Sequence, residues 1–201
     1  MIRLLLVEDQ VMLRGAIAQL LDLEEDLEVI AEAADGHDAV AEALRVSPDV
    51  ALVDIELPGQ DGLAVAAQLA AELPKCRVLI VTTFGRPGFL RRAMDAGVAG
   101  FVLKDTPVAE LAESIRRVHA GEQVVDPELA ITALREGESP LTVREHEVIS
   151  AAREHLTITE LSAHLHLSEG TVRNHLSAVI QKLGVRSRAE AITIAEQKGW
   201  L

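Results

Sequence analysis

Asp54 closes the apolar run Val50, Ala51, Leu52 and Val53. A charge at the end of a buried strand-like stretch is costly unless it faces a crevice or a partner. Three other strand-length runs end on side chains able to do chemistry: "IRLLLV" (2–7) leads into Glu8 and Asp9, "RVLIVTT" (77–83) closes on Thr82 and Thr83, and "GFVLK" (100–104) ends on Lys104. Either threonine hydroxyl could serve a ligand, and the spacing to Lys104 favours Thr82. If one sheet carries these ends to a common edge, three carboxylates meet and raise one another's pKa unless a cation compensates them. Hard oxygen ligands with open positions suit Mg²⁺. A carboxylate beside Mg²⁺ can attack phosphorus, because the metal and a lysine neutralise charge on the phosphoryl oxygens in transfer. Asp54 is thereby a candidate aspartyl phosphate.

The elements that must position these residues are legible as a pattern. A fifth apolar run, "EVIAEA" (28–33), joins the four above, and helix-like stretches lie between and after them near 11–22, 37–46, 62–72, 87–96 and 107–119. Thr106 and Pro107 read as N-cap and first residue of the last of these. Five strands alternating with five helices predict a doubly wound α/β parallel sheet over residues 1–122, with ligands bound beyond the carboxyl ends of its strands. Residues 123–138 read as a linker, and "LREGESP" (134–140) as its exposed part. From 139 to 201 the strand pattern stops, and capping boxes at Thr142/Glu145, Thr157/Glu160 and Ser187/Glu190, with Ser168 as a further N-cap, predict helices near 142–153, 158–165, 168–183 and 187–198.

Composition bounds the setting. Of 201 residues, 49% are apolar, enough for a sizeable core. No apolar run approaches the roughly 20 residues of a membrane helix, so no membrane insertion is expected. The single cysteine, Cys76, reads as packing filler in a reducing compartment, the cytoplasm. The net charge of −13 is uneven: residues 1–125 carry 21 acids against 11 bases, whereas residues 139–201 carry 7 of each. Within the latter, Arg173, Lys182, Arg186 and Arg188 fall in an acid-free stretch, 170–188, a local basic patch on an acidic chain. Val172, Leu176, Val179, Ile180 and Leu183 keep helical spacing and predict one buried stripe, leaving Arg173, Asn174, Ser177 and Gln181 outward. Arginine and asparagine match guanine and adenine edges, so this face could read a major groove, with "TITELSAHL" as the first helix of a helix-turn-helix. Five of the seven histidines lie here without a cysteine and read as surface and packing residues rather than zinc ligands.

"LLLVEDQ", "ALVDIELPGQDG", "VTT" and "GFVLKD" resemble the receiver domain of two-component response regulators over roughly residues 1–120. "LTVREHEV", "LHLSEGTVRNHL" and "KLGVRSRAEA" resemble the LuxR-type DNA-binding domain of the NarL/FixJ family, and "TTFGRPGFLRRAMDAGVAGFVLKDTP" with the closing "KGW" is similar to the DesR-type members. The resemblance implies that Asp54 is the phosphoacceptor, that Glu8 and Asp9 hold Mg²⁺ with Asp54 and the main-chain carbonyl of Glu56, and that Thr82 and Lys104 engage the phosphoryl oxygens. It implies Phe101 as switch aromatic, turning inward as Thr82 moves, so that phosphorylation reshapes the last strand-helix units and promotes a homodimer. It also implies Arg173, Asn174 and Ser177 as base readers and Thr171, Lys182 and Arg188 as phosphate contacts. The partners so implied are a sensor histidine kinase and double-stranded promoter DNA. Departures from the pattern are Asp105 where many receivers have proline, His155 where glycine is usual and Ser162 where alanine is usual. A competing reading is a Mg²⁺-dependent phosphohydrolase of the haloacid-dehalogenase kind. It needs a second aspartate where this chain has Glu56, and it leaves the helix-turn-helix without a role.

Overall fold

A computed structural model describes residues 1–83, 85, 87–136, 139–154 and 157–201. The chain divides into two compact units, the first spanning residues 1–85 and 90–131, the second built chiefly from residues 132–201.

In the first unit, strands and helices alternate: β1 Ile2–Val7, α1 Val11–Leu21, β2 Leu27–Ala33, α2 Gly36–Val46, β3 Val50–Val53, α3 Gly62–Glu72, β4 Arg77–Thr82, α4 Pro87–Asp95, β5 Gly100–Leu103 and α5 Val108–His119. All strand pairs are parallel, in the order β2-β1-β3-β4-β5, with a short further strand, β6 Val124–Val125, beyond β5. Parallel strands need crossovers, and these helices supply them, so β3 at the centre is shielded throughout and all four of its residues are at 0% exposure. Leu4, Leu6, Leu52, Leu79 and Val102 of the sheet pack with Leu21, Leu111 and Ile115 of the helices in one core.

Three features of the structure add detail to the sequence reading. A sixth strand, β6 Val124–Val125, extends the sheet beyond β5, and α6 Pro127–Glu136 follows it. The segment expected as a linker is therefore largely regular structure, while Gly137 and Glu138 lie outside the described residues. At the start of α5, Pro107 keeps an extended ψ of 140° and is itself the N-cap, with no side-chain cap bond. A proline ring fixes only φ, so it did not commit the residue to the helix.

The second unit holds α7 Val143–Ala151, a 3-10 turn at Ala152–Glu154, α8 Ile158–His164, α9 Glu169–Leu183 and α10 Arg188–Gln197. Val148, Ile149, Leu161, Val172, Leu176 and Val179 form its core. Thr142 and Thr157 make complete capping boxes with Glu145 and Glu160, and Ser168 caps α9 through the Thr171 amide. At α10 the box is not reciprocal: Ser187 accepts the Glu190 amide, but the Glu190 carboxylate accepts the Arg186 amide instead. Ser187 has φ −147°, far from the −72° and −68° of the two threonine caps, which turns its own amide elsewhere. Gly184 ends α9 at φ 67°, the left-handed conformation that glycine adopts without strain. His155 lies outside the described residues. Among the described residues no helix is long and apolar enough to cross a membrane.

Candidate functional site

Parallel register brings the strands' carboxyl ends to one edge, β1 and β3 ending level and β4 and β5 ending level two residues further on, and this converts positions distant in sequence into neighbours. Val7 pairs with Val53 and Thr82 with Leu103. The Asp54 amide donates to the Val7 carbonyl at 3.0 Å and the Lys104 amide to the Thr82 carbonyl at 2.9 Å. Asp54 and Lys104 thus sit one residue beyond their strands, as do Glu8 and Thr83 beyond theirs. The chain returns past Asp54 through Gly62, where a Cβ would lie 1.8 Å from the Asp54 carbonyl oxygen. Asp61 then caps α3 through the Ala64 amide at 2.8 Å.

In the resulting crevice, Lys104 Nζ lies 2.6 Å from Glu8 Oε2 and 2.8 Å from Asp54 Oδ2. Glu8 and Asp54 are buried and Asp9 is exposed. Each of the three acids offers a carboxylate oxygen within 4.8 Å of the others. Burial pushes the Glu8 carboxyl above its ordinary value, against the pull of Lys104. Burial also disfavours charge on Lys104, yet its bonds to Asp54 and Glu8 prevail and raise it. The two directions agree once partners are counted: Lys104 answers to two carboxylates, whereas Glu8 shares one ammonium and faces Asp54.

Thr82 is buried at the end of β4 and Thr83 is exposed. Glu56 is exposed in the loop after β3. Phe101 is fully buried on β5 and pairs with Val125 of β6. The Lys104–Asp105 peptide is trans. One residue the sequence reading passed over is Arg14, whose Nη1 donates to the Glu8 carbonyl at 2.6 Å and whose Nε donates to Glu32 Oε2 at 3.1 Å. Its signal in the sequence was slight: it is the lone charge in α1, one turn after the acid pair.

In the helical unit, Arg173, Asn174 and Ser177 are exposed on α9. Arg173 Nη2 donates to Glu169 Oε2 at 2.7 Å, and Glu169 Oε1 accepts from the Thr159 hydroxyl at 2.7 Å. The Thr171 hydroxyl meets that of Ser168 at 2.8 Å. Arg188 Nη2 donates to the Ala152 carbonyl at 3.3 Å, and Ser162 donates to the Leu167 carbonyl at 2.7 Å, inside the turn between α8 and α9. Lys182, with 36% of its side chain exposed, is engaged by the protein itself: Nζ lies 2.6 Å from Oε2 of the buried Glu145 on α7.

Residues 4–116 match the response regulator receiver domain, and residues 139–195 match the bacterial regulatory proteins of the luxR family. The chain is a LuxR-type response regulator. Such regulators are DNA-binding transcription factors of two-component systems, not classical enzymes, and their receivers bind Mg²⁺ at an acidic pocket. This response regulator is 47% identical over 201 residues to the uncharacterized transcriptional regulatory protein YvfU of Bacillus subtilis, all of both chains being covered. It is 44% identical over 200 residues to the transcriptional regulatory protein DesR of the same organism, covering 100% of this chain and 99% of DesR. The crystal structure of the response regulator ChrA, from a heme-sensing two-component system, aligns with a TM-score of 0.59 at 32% identity, covering 100% of this chain and 98% of ChrA.

Proposed function

We propose that Asp54 accepts a phosphoryl group from the phosphohistidine of a sensor kinase and that this modification drives binding to promoter DNA. The observation that carries the reading is Lys104 bridging Glu8 and Asp54, at 2.6 and 2.8 Å, beside the exposed Asp9. The donor set fits Mg²⁺: three hard carboxylates converge, and the exposure of Asp9 leaves room for the waters this ion keeps. Glu8, Asp9, Asp54 and the main-chain carbonyl of Glu56 would hold it. When bound, the ion neutralises charge on the phosphoryl oxygens.

An Asp54 carboxylate oxygen attacks phosphorus, an O–P bond forms as the P–N bond to the kinase imidazole breaks, and the departing nitrogen takes a proton. Lys104 exchanges its bond to Asp54 for one to a phosphoryl oxygen, and the Thr82 hydroxyl donates to another. The buried position of Phe101 is the one phosphorylation favours, as a population shift needing only a few kcal/mol of differential interaction. Self-dephosphorylation is at most slow. The regulator acts in the cytoplasm, where kinase and promoter both reach it.

On the DNA side, Arg173, Asn174 and Ser177 read base edges while Thr171 and Arg188 anchor phosphates, supplemented by the Lys182 ammonium, which has further N–H donors besides the one directed at Glu145. Dimerisation on phosphorylation joins two reading heads. Intact-mass analysis with a small phosphodonor tests the acceptor: one added phosphoryl group in wild type, dependent on Mg²⁺, and none in Asp54→Ala. Full labelling of the variant would overturn the assignment.

A further inference from the structure

We propose that Arg14 is a positioning residue for the cation site, holding the Glu8–Asp9 turn in shape through the Glu8 main chain. The turn is tethered at several points. The Glu8 amide donates to the Ala33 carbonyl at 3.1 Å, and the Gln10 amide donates to Glu8 Oε1 at 3.2 Å. The carbonyl of Glu8 is held from the side by Arg14 Nη1 at 2.6 Å. The Arg14 side chain is only 17% exposed, and Glu32 on β2 fixes its other edge through Nε at 3.1 Å. The guanidinium fork therefore ties three elements, α1, the end of β1 and the end of β2, at the residue that begins the acid pair. A side chain buried to this extent and bonded in two directions has little rotamer freedom, which is what a supporting group needs.

A mere counter-charge would behave in the opposite way. Arg14 is a cation near three carboxylates, so on electrostatic grounds alone its removal would tighten cation binding. If it acts by shaping the turn, its removal loosens cation binding despite the more negative potential. The sign of the effect separates the two roles.

The inference rests on the crevice being a cation site, and the test separates failure of one from failure of the other. The probe is Mn²⁺, titrated into the full-length protein, with free ion followed by electron paramagnetic resonance. Wild type should bind one ion saturably, and Asp9→Asn should abolish this; no such binding in wild type overturns the cation site itself. Arg14→Gln should weaken binding on the order of tenfold. Arg14→Lys, which keeps the charge and one donor, should recover part of the loss, and Glu32→Gln, which keeps Arg14 but frees its outer edge, should weaken binding slightly. Unchanged or tighter binding in a folded Arg14→Gln overturns the positioning role. If that variant fails to fold, Arg14→Lys decides: weaker binding supports the role and wild-type affinity overturns it.

Discussion

At the scale of single residues, Lys104 is the group on which the crevice depends. Its side chain and that of Glu8 are 8% and 2% exposed, so removing the ammonium leaves two carboxylates facing each other with little water to separate them. Breaking a buried pair by deleting one partner costs about 3 kcal/mol or more. Lys104→Met should therefore lose about that much stability in urea unfolding with chelator present, and millimolar Mg²⁺ should restore part of it by mass action on the folded state. An unchanged midpoint would contradict the account. Arg173→Ala on α9 should cost about 1–3 kcal/mol on the specific site and relax base preference, whereas Arg188→Ala on α10 should weaken all sequences alike and reduce the salt slope by about one. Titrations against specific and scrambled duplexes at several salt concentrations distinguish the two. The acids and the lysine were legible because each ends an apolar run, where a charge demands a reason. Arg14 was not, because a base on a helix surface is ordinary until its contact with the Glu8 carbonyl is seen.

Between elements, the Glu145–Lys182 pair joins α7 to α9 across 37 positions of sequence. Burial works against the Glu145 charge, but the Lys182 ammonium and the Thr142 amide outweigh it and hold the carboxyl below its ordinary value of 4.5. A carboxyl whose folded value is depressed adds stability above its unfolded value, and that stability disappears as pH falls through the folded one. The helical unit should thus weaken as pH falls below the ordinary glutamate value of 4.5, and Glu145→Gln should flatten that part of the profile. Trp200, the one tryptophan of the chain, reports on this unit in fluorescence-detected unfolding. A profile identical in variant and wild type would show the pair to be inert. Capping and periodicity made these helices legible in advance, since Thr142, Thr157 and Ser168 act locally. β6 was not legible: two valines carry no period, and only the free edge of β5 makes a strand of them. The Glu145–Lys182 pair was not legible for a related reason, because its two members lie in different helices.

For the whole molecule, charge is unevenly shared along the chain. The acidic excess of residues 1–125 repels DNA phosphates, while residues 139–201 are neutral with a basic stretch at 170–188, from α9 to the start of α10. One copy should therefore bind weakly, and two copies on half-sites about one helical turn apart should bind far better. Sedimentation of the phosphorylated protein at micromolar concentration should reveal the dimer, and an unchanged mass distribution would count against it. If phosphorylation of Asp54 controls DNA binding, fluorescence anisotropy on a promoter duplex measures it directly. Phosphorylated wild type should bind at least about tenfold more tightly than the unmodified protein, a difference of about 1.4 kcal/mol. Asp54→Asn should show no response to the phosphodonor. Equal affinity of the two forms, or an undiminished response in Asp54→Asn, would contradict the account.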